Sequence, residues 1–347
     1  MILNSYALLC GLISVLRLGL AFVVAGLAWS TLRALGTSSE NDQIRRELDE
    51  RQQRLILVAG VLLGLNVASW PILYLLLQSY VVEWPGVMCI YGVTQIGAGS
   101  PGLAGYLPAL VLTLELAKPA LLFVSGGWLV LYLVNRTTTT GPLAGRVLGL
   151  MLLAGLLAGA DAVAELAYLL IPKKEESLAS GCCTEALAQE ARATRFLPPI
   201  LLDPRHQPLL QAGFYAINLA LAASTQVRGR GESGRLSLGE ATGLLGGAIL
   251  ALLISGLFLV EIAAPRLLRL PLHHCPYDLI PRVPETVVAV ALFFLATFSV
   301  GWTWLVTWLT QDEAGQLSAS MQNQLLRLAA LGYFGSTVMI TLELVLV

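Results

Sequence analysis

Long apolar runs separated by short polar stretches set the rhythm of this chain. A helix that crosses a bilayer needs about 20 mostly apolar residues. Eight stretches approach that length: roughly 6–32, 55–82, 106–134, 144–171, 208–227, 241–265, 285–310 and 324–346. The fifth, "QPLLQAGFYAINLALAASTQV", is short and only moderately apolar. The third contains Pro119 and is expected to tilt or kink. The pattern predicts an all-α fold, a polytopic integral membrane helical bundle of about eight transmembrane helices forming a single transmembrane domain over residues 1–347. "MILNSYALLCGLISVLRLGL" has no basic residue ahead of its apolar run, so it is read as a retained first span and not as a cleaved signal.

Composition agrees with this reading. The 347 residues are 56% hydrophobic and 12% charged, against about 25% charged in a soluble domain. Mean hydropathy is +0.74. The net charge of −1 offers no basic face to a nucleic acid. The chain has no GxxxxGK[ST], HExxH, GxSxG or CxxC, which argues against ATP hydrolysis, zinc proteolysis and serine hydrolysis. The lipid bilayer is the expected environment, in a bacterial-type inner membrane.

Lys and Arg in short loops set orientation. Residues 37–54 carry Arg45, Arg46, Arg51 and Arg54 and read as a charged cytoplasmic helix linking spans one and two. "NRTTTTGPLAGR" and "RGRGESGRLSLGE" are basic as well, while 83–105 has no Lys or Arg. This places both termini outside, although Lys173, Lys174, Arg266, Arg269 and Arg282 run against the trend. The connection 172–207 is the longest outer-face loop, with a short helix expected around "CTEALAQEARATRF".

The even connections gather the scarce soft ligands. Cys89, Cys182, Cys183 and Cys275 all fall in loops 83–105, 172–207 and 266–284, together with His206, His273 and His274; Cys10 lies apart, inside span one. The plain reading is a pair of structural disulfides on an oxidising face. Cys182 and Cys183 would then each reach a different loop, stapling it to Cys89 or Cys275. A second reading is thiol chemistry, the four cysteines passing electrons to a membrane quinone, with His273 and His274 activating Cys275. Membrane enzymes of that kind carry a CxxC, which is missing here. A third is capture of a soft metal ion by His273, His274 and Cys275.

Ionisable residues inside spans are costly and mark candidate sites. Arg17 lies in span one, Glu115 and Lys118 in span three, Asp161 and Glu165 in span four, Glu261 in span six and Glu343 in span eight. Glu115 and Lys118 (i, i+3) share one helix face, as do Asp161 and Glu165 (i, i+4). Two structural pairings follow, Glu115 with Lys118 and Arg17 with Asp161. The functional alternative is a proton or cation path through Arg17, Glu115, Lys118, Asp161, Glu165 and Glu261. The stripe Trp302, Trp304, Trp308 reads as an interfacial anchor. The recurrence of "TLEL" in spans three and eight is read as coincidence in an apolar alphabet.

Two functional classes therefore stand. One is a membrane protein with an outward Cys/His cluster above intramembrane acids, serving thiol electron transfer or cation or soft-metal transport. The other is a non-catalytic anchoring subunit, its cysteines stapling loops, in complex with other membrane or periplasmic subunits.

Overall fold

The computed structural model of the chain describes residues 4–37, 42–84, 87, 89–136, 143–173, 204–230, 236–271, 273–310 and 315–346. Among them there is no strand. Eight long helices carry the fold: α1 (Ser5–Thr37), α2 (Asp42–Glu83), α3 (Leu107–Arg136), α4 (Ala144–Leu170), α5 (Gln207–Arg230), α6 (Leu238–Phe258), α7 (Glu285–Leu309) and α8 (Gly315–Leu346). The helix continues past Phe258 through a π-turn, Leu259–Ala263, and a last turn, Ala264–Leu267. The chain is an all-α polytopic membrane bundle. Seven of its helices are long and apolar enough to span a bilayer, and α5 falls outside that group.

Contacts divide the chain into two compact units, Met1–Ser180 and Gly181–Val347. In the first, α1–α4 form a four-helix bundle. Helix α1 runs antiparallel to α4: Gly11 lies against Leu169, Arg17 meets Asp161, and Gly155 sits against Ala21 and Ala25. Gly155 permits this closeness, because a Cβ there would stand 3.2 Å from Ala21 O and Ala25 N. Small residues replacing bulk at a helix seam are the usual means of close approach in lipid. The charged stretch after span one forms the beginning of α2, which runs unbroken from Asp42 and passes through Pro71. Likewise α3 continues through Pro119. Between α2 and α3 lies a compact connection with a short helix, Ile90–Thr94. It turns at Gly97 (φ 90°), where any side chain would collide with Ala104 O, 2.1 Å from the Cβ position.

The second unit has the same order of elements, with the long connection again between its second and third long helices. Helix α5 lies antiparallel along α8, tied near one end by Thr341 Oγ1 donating to Tyr215 Oη (3.2 Å) and near the other by Arg327 Nε donating to Gly229 O (2.8 Å). Its 24 residues span about 36 Å, as much as a bilayer core requires. A stacked Phe214–Phe258 pair (4.0 Å between centroids) anchors the core, with Ile262, Leu267 and Leu279 around it. Ser237 and Glu240 close a capping box at the start of α6. Trp304 and Trp308 stack, and Trp304 Nε1 donates to Thr242 Oγ1, tying α7 to α6.

Candidate functional site

Cys10, Ser14 and Arg17 recur at spacings of four and three along α1, so they form one inward stripe. Asp161, Glu165 and Tyr168 repeat the pattern on α4. Where the stripes face each other, two cations and two carboxylates meet inside the first unit. Arg17 donates through Nη2 to Asp161 Oδ2, through Nη1 to Glu165 Oε2 (2.8 Å), and through Nε to Asn66 Oδ1 (2.9 Å). Lys118, from α3, donates to Glu165 Oε1 (2.5 Å), Asp161 Oδ2 (3.1 Å) and Ser69 Oγ (3.2 Å). Ser14 Oγ adds a bond to Glu165 Oε2 (2.6 Å). No member of the quartet is more than 2% exposed.

Such burial is tolerated because the formal charges cancel and nearly every polar atom is paired; an isolated ion there would face a desolvation penalty of several kcal/mol. One acceptor is left over. Asp161 Oδ1 is buried and receives no hydrogen bond among the described residues. The expected Arg17–Asp161 pair is present. Lys118 reaches off its own helix to Asp161 and Glu165, while Glu115, one turn away, is half-buried.

Beyond the quartet, toward the 84–106 connection, several buried side chains carry polar atoms among apolar neighbours such as Leu76, Leu114 and Leu169. Ser14 Oγ also donates to Cys10 O (2.8 Å), and the Cys10 side chain is buried in the same stripe. Tyr168 and Tyr80 follow, both buried, and the Tyr168 hydroxyl and Trp84 Nε1 have no partner among the described residues. Lys173 closes the line. Its Nζ donates to Tyr168 O (2.7 Å) and lies 4.3 Å from the Tyr168 ring centroid and 5.5 Å from that of Tyr80. Burial brings the Lys173 ammonium down from 10.5 to about 8.

The soft ligands are distributed differently. Cys89 is buried and precedes the short helix Ile90–Thr94 of the first unit. In the second unit Cys275 is buried and precedes a 3₁₀ turn, Pro276–Asp278. Each cysteine thus opens a Cys-x-Tyr turn, Cys89-Ile90-Tyr91 and Cys275-Pro276-Tyr277. Cys182 and Cys183 lie outside the described residues. His273 and His274 turn to different partners. His273 Nε2 meets Asp278 Oδ2 at 2.7 Å, and His274 Nδ1 lies 3.2 Å from Val260 O and 3.4 Å from Glu261 Oε2.

Glu261 is presented by the π-turn. Pro265 has no N–H to give the Glu261 carbonyl and would crowd it in a regular helix; Ala264 N–H bonds Leu259 O, five residues back. Such turns recur at functional positions. His206, at the start of α5, has a buried Nδ1 without a partner among the described residues, and Glu343 is half-buried. Ser14, Asn66, Ser69, Tyr80 and Tyr168 are parts of the first-unit site that hydropathy reading passes over. The shared four-three spacing of Cys10-Ser14-Arg17 and Asp161-Glu165-Tyr168 is the signal that finds Ser14 and Tyr168. Compared with protein-family models, curated proteins and solved structures, the chain matches none.

Proposed function

We propose that this integral membrane protein binds and releases a proton within the bilayer, and that the Arg17–Lys118–Asp161–Glu165 quartet is the exchanging site of a proton- or cation-coupled membrane process. One observation carries the reading: a charge-balanced quartet, fully buried, with one unused carboxylate oxygen, Asp161 Oδ1. A proton taken from water and held as an O–H at Asp161 Oδ1 would leave Arg17 and Lys118 facing a single carboxylate. The site would then carry a net buried positive charge, which low dielectric strongly disfavours. Either Lys118 must give up a proton or the helices must move to readmit water. Protonation is thereby coupled to rearrangement, as a carrier requires.

The same cancellation of charge favours a second reading, a static polar staple in an anchoring subunit. Lys118 already uses all three of its N–H groups, on Ser69, Asp161 and Glu165, and a staple of this kind would never titrate. Infrared difference spectroscopy on the purified protein across a pH ramp separates the two. A protonated-carboxyl band is expected while the protein is folded, and it should be lost in Asp161→Asn. That variant strands a buried cation, with an expected cost of about 3–5 kcal/mol, so Asp161→Asn/Arg17→Gln should restore the folded yield without restoring the band. Absence of the band at every pH at which the native fold persists would select the staple.

A further inference from the structure

We infer that the quartet communicates with only one face of the membrane, the face that carries Lys173 and the 84–106 connection, through a path along the α1–α4 seam. The inference deepens the proton-exchange reading and rests on it for its purpose. The seam differs in chemistry on the two sides of the charges. Toward Lys173 it presents Ser14, Cys10 and Tyr168, whose buried hydroxyl has no partner among the described residues, interleaved with Ala7, Gly11 and Leu169. Trp84 Nε1, also buried and unpartnered among them, lies at the same end of the helices. Buried polar atoms are ordinarily paired, with protein or with ordered water. Two unfilled donors, Tyr168 Oη and Trp84 Nε1, between a charged site and a loop offer bonds to water entering from that side.

In the opposite direction the seam is closed. Directly past Arg17 and Asp161, α1 presents Ala21 and Ala25 and α4 presents Ala158 and Gly155. A Cβ on Gly155 would lie 3.2–3.3 Å from Ala21 and Ala25 atoms. That separation excludes water. Beyond it Val24, Ala28, Met151, Leu148 and Val147 continue an apolar interior. Helix α3 contributes the Ser125 hydroxyl on this side. Thr31 donates to Leu27 O of its own helix, and Asn135 Oδ1 accepts from Leu143 N.

At the mouth of the path, Lys173 stands over the two tyrosine rings with its Nζ on the Tyr168 carbonyl near the end of α4. Its charge would favour anions and water over other cations. A site reached from one side alone can release its proton to the other only by moving. This is the behaviour expected of a coupling element, and it differs from that of an open channel.

Access can be measured without any transport assay. In oriented membrane vesicles containing the full chain, a small anionic reagent, 2-sulfonatoethyl methanethiosulfonate, is added to one face at a time, and modification is read site by site by mass spectrometry. Native Cys10 and Ser14→Cys should react from the Lys173 face and fail to react from the other. Ala25→Cys should react from neither. Equal rates from both faces, a faster rate from the opposite face, or inertness of both Cys10 and Ser14→Cys would overturn the inference. Cys10 needs no substitution, so the test survives a Ser14 variant that does not fold. One-sided modification of Cys10 without a protonated-carboxyl band would leave the path standing and sink the proton reading.

Discussion

Lys173 lies outside the span that ends at Leu170, yet burial holds its ammonium near 8. An unfolded lysine protonates near 10.4. Between those values the unfolded chain binds the extra proton, so this residue makes stability rise with pH from about 8 toward 10.5 and leaves its contribution flat below. The tyrosine faces oppose the shift by cation–π attraction. Acylation of Lys173, followed by mass spectrometry against pH, should reach half its maximal rate near 8, and Lys173→Met should flatten the slope of stability above that pH. A half-rate near 10.5 would mean the ammonium is solvated. The same residue shows what sequence could and could not reveal. By loop counting Lys173 is a stray positive charge on the wrong side, and nothing local says that it rests on two rings brought from different helices. Arg17, Lys118, Asp161 and Glu165 were legible because charge in an apolar run is conspicuous. Asn66 and Ser69 were not, because a hydroxyl or amide in a membrane helix can bond its own backbone and carries no such signature.

At the scale of elements, pair-wise helix contacts are set by a few small residues whose roles differ sharply. In the second unit Gly332 of α8 is pressed against α7: a Cβ there would stand 2.7 Å from Leu292 O and 2.8 Å from Ala296 Cβ. Backbone cannot yield as a flexible side chain can, so Gly332→Ala should lower stability by about 1–3 kcal/mol. At Gly155 the contacts of 3.2–3.3 Å call for a smaller adjustment of α1, and Gly155→Ala should cost less. Gly60, with nothing within 4 Å of its Cβ position, should accept alanine with unchanged or slightly raised stability. Thermal denaturation of the three variants in one detergent checks the order; a Gly332→Ala protein as stable as Gly60→Ala would show that α7 and α8 are not packed as described. Small-residue runs such as "GLLAGADA" announce close packing in sequence without saying which glycine touches a partner. The π-turn at Glu261 is similar: Pro265 signals a local disturbance, but only the i→i−5 bond of Ala264 shows that the helix continues through it.

For the whole molecule the count of crossings matters most, and α5 decides it. Hydropathy separates seven helices from this one, because Gln207, Gln211, Asn218, Ser224, Thr225 and Gln226 dilute its apolar residues. Packing answers differently. Helix α8 is among the apolar spans, and α5 accompanies it, with bonds from Tyr215 near one end and Gly229 near the other. Asn218, buried, donates its amide hydrogens to Phe214 O and Ser255 Oγ, so these donors are met within the unit and not by lipid. A helix paired with a spanning neighbour from Thr341 to Arg327 is expected to cross with it. Hydropathy averages over all faces of a helix, whereas lipid sees only the outward one, and for that reason the sequence ranked α5 weakest. Counted over the described helices, eight crossings would place the two ends on one face and seven would place them on opposite faces. Epitope tags fused at residues 1 and 347 should therefore be cut by protease from the same side of sealed, oriented vesicles. Cleavage of the two tags from opposite sides would mean that α5 lies outside the bilayer, and the antiparallel pairing of α5 with α8 would have to be abandoned.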